Sequence, residues 1–288
     1  MVFHAGALGD SVMVWPLLRA MKRAGWHVML VSAMEKARLA AGELAISAFD
    51  SERPEYTGLW AGRAAAGEML AGAAVVISLV ADDSSAAGAR WIGAVRASCP
   101  RAEVLWAGPP GSGSRAELWR RFAADTAGSV EPRAGSCGPV VVHVGAGSEP
   151  KRWPLDRFLT LGRGLLDGGH ACGWLAGEVE AERFSPAELA GFREHGGVMC
   201  PSLEELAARL RTARLVIAGD SGPGHLAAQL GVATLSLFGP TDPQVWAPIG
   251  PRVVVLAPVR QTENMTWLAT ERVAARALSM LDGTASVR

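Results

Sequence analysis

Four short stretches carry residue types able to do chemistry, and each follows an apolar run of strand type. The longest, residues 215–240, reads LVIAGDSGPGHLAAQLGVATLSLFGP. Its apolar run ends at Gly219, Asp220 and Ser221 stand at the tip, and Gly222 and Pro223 open a helix containing His225. A proline in a first helical turn removes an N–H that has no intrahelical partner, and the remaining free N–H groups suit an anion. A tight crossover with no ligand is the competing reading of this stretch taken alone. The second stretch, His143-Val-Gly-Ala-Gly-Ser148, runs on through Glu149 and Pro150 to Lys151 and Arg152. Gly145 and Gly147 let backbone N–H groups converge on an anion, Ser148 adds a hydroxyl, and the two cations can balance a departing diphosphate. A solvated basic turn is the alternative there. In the third, Gly6-Ala-Leu-Gly9-Asp10-Ser11, Asp10 is either a helix N-cap or a carboxylate directed into a cleft. The fourth, running from Trp174 through Gly177 to Glu180, can offer a carboxylate to ribose hydroxyls or leave an exposed acid in a loop.

Other chemistries lack their residues. H-E-x-x-H, D-x-D, G-K-[ST] and G-x-S-x-G are all missing, so zinc, a D-x-D-held metal, a P-loop and an α/β-hydrolase nucleophile have no motif. The first glycine loop is not G-x-G-x-x-G, and no acidic residue ends the second strand, which argues against a dinucleotide-dependent dehydrogenase. A reaction without metal or cofactor is expected. With 28 basic and 28 acidic side chains the net charge is formally zero, giving no electrostatic case for nucleic acid. Lys22, Lys36 and Lys151 are the only lysines. Cys99, Cys137, Cys172 and Cys200 are far apart and fit free thiols in a reducing cytoplasm. No basic-then-apolar leader opens the chain, and the longest apolar runs fall far short of the about 20 residues that span a bilayer.

The elements that must position these residues alternate. At 288 residues and 49% hydrophobic, the chain can bury one large or two ordinary cores. Strands are expected at residues 2–5, 26–32, 74–80 and 103–107, with helices at 11–24, 33–41, 57–71, 84–98 and 114–125, the first of them disturbed by Pro16. Residues 108–114 read as a loop, and the Gly- and Pro-rich segment 127–139 as a connection between domains. The pattern then restarts, with strands at 140–144, 170–175, 215–218, 233–238 and 252–256 and helices at 155–166, 202–212, 225–230 and 265–281. Such alternation predicts parallel sheets covered by helices. The domains are set at 1–130 and 140–288, linked by 131–139, with the last helix free to pack back on the first domain.

Taken together, the stretches GALGDSVMVWPLLRAM, VHVGAGSEPKRWPLDRF and AGDSGPGHLAAQLGVATLSLFGPTDPQVWAPIGP resemble glycosyltransferase family 9, the bacterial heptosyltransferases of lipopolysaccharide synthesis. The likeness covers nearly all of the second half but only about 25 residues of the first. It implies a GT-B fold: two Rossmann-like α/β domains with mainly parallel sheets facing across a cleft. It also implies inverting, metal-independent transfer of heptose from ADP-heptose to a saccharide or lipid-linked saccharide of the lipopolysaccharide core. Residue by residue, the catalytic base corresponds to Asp10, beside Gly9, and the diphosphate lysine to Lys151. Ala146, Gly147 and Ser148 line the phosphates, Glu180 holds the ribose, and Leu203 lies on the adenine side. The D-[TS]-G-x-x-H element matches Asp220, Ser221, Gly222 and His225, which contact donor sugar and phosphates. The chain departs from the family in having His4 where many members carry Arg or Lys, a short first domain, and no cysteine in residues 258–267. The resemblance implies a cytoplasmic protein and leaves peripheral contact with the inner membrane open. Within the same fold, another nucleotide-sugar donor, a non-catalytic nucleotide-sugar-binding protein and an epimerase are the rival readings.

Overall fold

A computed structural model of the chain describes residues 1–64, 68–81, 84–106, 130–132 and 137–283. The expected loop at 108–114, helix at 114–125 and residues 133–136 of the linker lie outside the described residues. Residue contacts divide the chain into two compact units, Met1–Ala7 with Val14–Phe122 and Leu8–Met13 with Ala123–Arg288.

The first unit is built on five strands: β1 (Val2–Phe3), β2 (Met29–Ser32), β3 (Ser47–Asp50), β4 (Val75–Ser78) and β5 (Glu103–Trp106). They lie in the order β3-β2-β1-β4-β5 and all pairings are parallel. Its helices are α2 (Trp15–Arg23), α3 (Met34–Leu44), α4 (Pro54–Trp60), α5 (Glu68–Ala71) and α6 (Ala86–Ser98). Phe3 meets Tyr56 and Trp91 edge-on, with ring centroids 5.6 and 5.1 Å apart, and these rings centre the core.

The second unit carries a six-stranded parallel sheet in the order β11-β10-β9-β6-β7-β8. Its strands are β6 (Val140–His143), β7 (Cys172–Ala176), β8 (Val198–Met199), β9 (Leu215–Gly219), β10 (Thr234–Leu237) and β11 (Val253–Leu256). Every residue of β6, β9 and β10 is buried, the mark of strands covered on both faces, and β9 accordingly reads as a continuous apolar run. The helices are α1 (Leu8–Met13), α7 (Leu155–Asp167), α8 (Glu178–Arg183), α9 (Pro186–Glu194), α10 (Leu203–Thr212), α11 (Gly222–Gln229), α12 (Pro243–Trp246) and α13 (Thr270–Leu281). The last helix, for which packing on the first domain had been an option, lies against α7 and β9 of this unit.

Two parallel-sheet α/β domains are therefore present, as the alternation predicts. The main difference from the expected layout is α1, placed with residues 1–130 in the sequence reading but compact with the second unit. The expected helix at 11–24 is two helices: the chain breaks at Val14, and Pro16 falls in the first turn of α2, where its missing N–H is harmless. The expected helix at 57–71 is likewise two, α4 and α5. Elements β3, β8, α8, α9 and α12 went unread. The helix α9 had a legible start: Ser185 accepts from the Glu188 N–H at 3.2 Å and Glu188 accepts from the Ser185 N–H at 2.9 Å.

The segment leading from the glycine loop into α7 is anchored by buried polar contacts. Trp153, fully buried, donates Nε1–H to the Leu268 carbonyl at 2.9 Å, and Arg157 Nη1 donates to the same oxygen at 2.8 Å. Since that carbonyl has two donors, Trp153→Phe should lose about 1 kcal/mol of unfolding free energy for its hydrogen bond. Combined with Arg157→Ala the carbonyl is orphaned, so urea unfolding should show a loss larger than the sum of the single variants.

Candidate functional site

In an open parallel sheet, ligands bind beyond the carboxyl ends of the strands, at the point where successive connections leave in opposite directions. Here the chain goes from β6 to β7 on one side and later returns to β9 on the other, so that point lies between β6 and β9. His143, the last residue of β6, pairs with Ala218, one residue short of the end of β9, so the following loops start level. The loop after β6 carries Lys151 in a 3-10 turn (Glu149–Lys151), and the loop after β9 carries Asp220.

They meet. Lys151 Nζ lies 2.8 Å from Asp220 Oδ2, and Thr241, in the loop after β10, donates its hydroxyl to the same oxygen at 2.7 Å. The Asp220 side chain is only 9% exposed and that of Lys151 29%, so the carboxylate is buried while the ammonium keeps access to solvent. Ser221 precedes α11 but caps no N–H with its side chain; its hydroxyl turns back to the Gly219 carbonyl at 3.2 Å. The first N–H groups of α11 thus have no side-chain cap.

His225, one turn into α11, is buried, and its Nδ1 has no hydrogen-bond partner. Burial pushes its pKa down to about 4, the carboxylates of Asp220 and Asp10 pull it up, and the Lys151 ammonium adds to the lowering. The ring is neutral at pH 7. Helix α1 lies against α11, and Gly222 makes that approach feasible: a Cβ there would come 2.7 Å from Leu8 Cβ. Gly9 sits over the His225 ring in the same contact. Asp10 is the third residue of α1 and half-buried, which removes the N-cap reading and leaves the carboxylate next to this cluster.

The glycine loop is fixed from below. The Gly145 N–H donates to His143 Nδ1 at 3.2 Å, so this amide is already engaged and His143 carries its proton on Nε2. That nitrogen faces Glu180 Oε2 at 3.8 Å. Burial lowers the His143 pKa, while Glu180 and the Gly145 bond act to raise it. Glu180 is itself buried; its Oε2 accepts the Gly177 N–H at 2.8 Å, and its Oε1 would lie 1.9 Å from a Cβ on Gly145. Arg183 Nη1 donates to the Ala146 carbonyl at 3.2 Å. Ala146 is buried, Gly147 exposed and Ser148 half-buried.

Of the residues singled out in the sequence, the structure brings Asp10, Gly9, Lys151, Asp220, Gly222 and His225 into one cluster, with Ser221 beside it. Ala146, Gly147 and Ser148 form the adjoining loop, and Glu180 on α8 packs against it at Gly145. Leu203 stands apart: it opens α10, after β8, two strands from β6. Arg152, read as a second phosphate cation, pairs instead with Glu188 and Glu149 and lies over the Phe184 ring. Thr241, expected from the sequence to converge with Asp220, does so. Two contributors were missed: His143 stood in a quoted stretch, whereas nothing in the sequence marked Arg183 as a loop anchor. Among the described residues no three of His, Cys, Asp and Glu gather as metal ligands, and no helix is long and apolar enough to cross a membrane.

Comparison with known proteins gives the family and the fold. Residues 114–271, more than half of the chain, match the family model described as glycosyltransferase family 9 (heptosyltransferase). Lipopolysaccharide heptosyltransferase 1 of Pseudomonas aeruginosa is 40% identical over 94 residues, which is 32% of this chain and 26% of that protein. The chain thus matches about a quarter of that relative's length. Three solved structures share the fold: glycosyl transferase family 9 from Veillonella parvula (TM-score 0.70, 18% identity, 98% of this chain and 96% of that one), E. coli heptosyltransferase WaaC with ADP (0.66, 17%, 99% and 99%), and E. coli ADP-heptose LPS heptosyltransferase II (0.68, 15%, 99% and 99%).

The buried neutral His225 predicts a pH dependence of stability. The unfolded chain takes up a proton below a pKa of about 6.5, while the folded unit resists until about 4, so stability present above 6.5 is lost as pH falls through that window. His143, also lowered by burial, acts in the same direction. Unfolding free energy followed by urea between pH 7 and 4 should fall steadily, and His225→Asn should flatten the slope; an unchanged slope would show that folding does not lower the pKa of His225.

Proposed function

The chain belongs to glycosyltransferase family 9, and from that premise we propose that it moves a heptose, or a similar sugar, from an ADP-sugar to a hydroxyl of a saccharide or lipopolysaccharide-core-type acceptor, with inversion and without a metal. The observation that supports it most is the Lys151–Asp220 pair between β6 and β9, with neutral His225 and Asp10 beside it.

In this reading the sugar C1–O bond to the diphosphate breaks and its electron pair leaves with ADP. Lys151 meets the charge that develops there, together with the N–H groups of Ala146, Gly147 and Ser148. The Gly145 amide is not counted, because His143 already holds it. The acceptor oxygen bonds to C1 from the opposite face while Asp10 takes its proton. Inversion asks for a base and a leaving group on opposite faces of the sugar; it does not ask that Asp10 and Lys151 come from different domains. His225, uncharged, offers hydrogen bonds to the donor without competing with Lys151 as a cation. Glu180 has Oε1 to offer a ribose hydroxyl, since Oε2 is held by the Gly177 N–H. Leu203 contacts the adenine side. The protein works in the cytoplasm, with a lipid-linked acceptor as the reason for any contact with the inner membrane.

Mass-detected transfer with ADP-heptose and binding calorimetry with ADP test the roles separately. Asp10→Asn should lower turnover by about 10²- to 10⁴-fold, the worth of a general base, and keep ADP affinity. Lys151→Ala should weaken ADP binding by roughly ten-fold or more. A thermal-shift panel of ADP, UDP and GDP decides the nucleotide, because only a ligand of the native state raises the melting temperature. Binding of ADP with no transfer to any acceptor or to water would instead identify a non-catalytic nucleotide-sugar-binding protein.

A further inference from the structure

Among the described residues, Thr241 is the neutral side chain hydrogen-bonded to the charged pair at the site. It follows β10, and its backbone is held on both sides. Upstream, the Phe238 carbonyl accepts from Trp267 Nε1 at 3.2 Å and the Gly239 carbonyl from the Thr262 N–H at 3.2 Å. Downstream, Asp242 caps α12 by accepting the Gln244 N–H at 2.8 Å. The Thr241 hydroxyl is therefore presented from a fixed backbone, and its proton goes to Asp220 Oδ2 at 2.7 Å. Lys151 Nζ reaches the same oxygen at 2.8 Å, from a side chain three times more exposed than that of Asp220. A carboxylate held by one flexible lysine can swing about its last torsion; held also by an anchored hydroxyl, it cannot.

We propose that Thr241 is a positioning residue: its hydroxyl fixes the Asp220 carboxylate and, through it, the place from which the Lys151 ammonium meets the donor diphosphate. The diphosphate half rests on the donor reading above; the link among the three side chains does not. With its second donor in place, Asp220 Oδ2 shares its charge between two hydrogen bonds, so Lys151 stays held at one point yet can release to a phosphate oxygen.

The chain's three lysines, Lys22, Lys36 and Lys151, make the test direct. Full-length protein labelled with 13C at the lysine Cε gives three resonances, that of Lys151 assigned through Lys151→Arg. Thr241→Val keeps the shape and removes the hydroxyl; it should displace the Lys151 resonance, leave those of Lys22 and Lys36 in place, and weaken ADP binding by on the order of ten-fold, the loss of one hydrogen bond to a charged group. Thr241→Ser should restore both. A Lys151 resonance unmoved in T241V, or ADP affinity lost as fully in T241S as in T241V, overturns the proposal. A wild-type Lys151 resonance that ADP does not move overturns the donor reading and the diphosphate half with it, while the displacement in T241V still decides the link itself.

Discussion

A carboxylate taken out of water has to be compensated, and Asp220 is the buried carboxylate at the head of β9. Its partners come from two loops distant in sequence, the Lys151 loop after β6 and the Thr241 loop after β10. Those loops flank β9 because β6 and β10 are its two neighbours in the sheet. The strand order thus decides which side chains can answer the charge. The buried strands beneath hold the three loop origins level, and the ammonium is left at the solvent edge, where a more highly charged anion could draw it away.

Around that pair the second unit arranges groups that are polar but uncharged. His225 is kept neutral by burial, with Nδ1 unpartnered, and Ser221 turns its hydroxyl back on its own strand, so no side chain caps the first amides of α11. An unpartnered buried polar atom such as His225 Nδ1 is disfavoured in a purely structural core. Helix α1 completes the cluster by bringing Asp10 against α11 through the contact of Leu8 with Gly222.

Much of this was legible in the sequence, unevenly. The strands of the second sheet other than β8 read clearly because burial leaves them mostly apolar, and the four candidate loops that follow strands were picked out. Half-buried elements were harder in both units: every residue of β3 in the first, Ser47–Asp50, is only half-buried, and α8 and α9 of the second bury few side chains, so neither period is imprinted on them. The compact unit to which α1 belongs was not legible, since it turns on Leu8 touching a glycine more than 200 positions away, and no local pattern encodes that. Glu180 stood out as a carboxylate at a strand end, but its burial over Gly145 and beside His143 depends on a neighbouring strand.

The interlock beneath the glycine loop also bears on how this loop could be altered. Position 145 is closed, because any side chain there runs into the Glu180 carboxyl group, whereas a Cβ on Gly147 would meet open space. Gly145 is a buried keystone and Gly147, two residues on, is exposed and blank. Sequence drift or redesign that reshapes what this loop accepts has room at 147, and reaches 145 only by rebuilding the His143–Glu180 floor first.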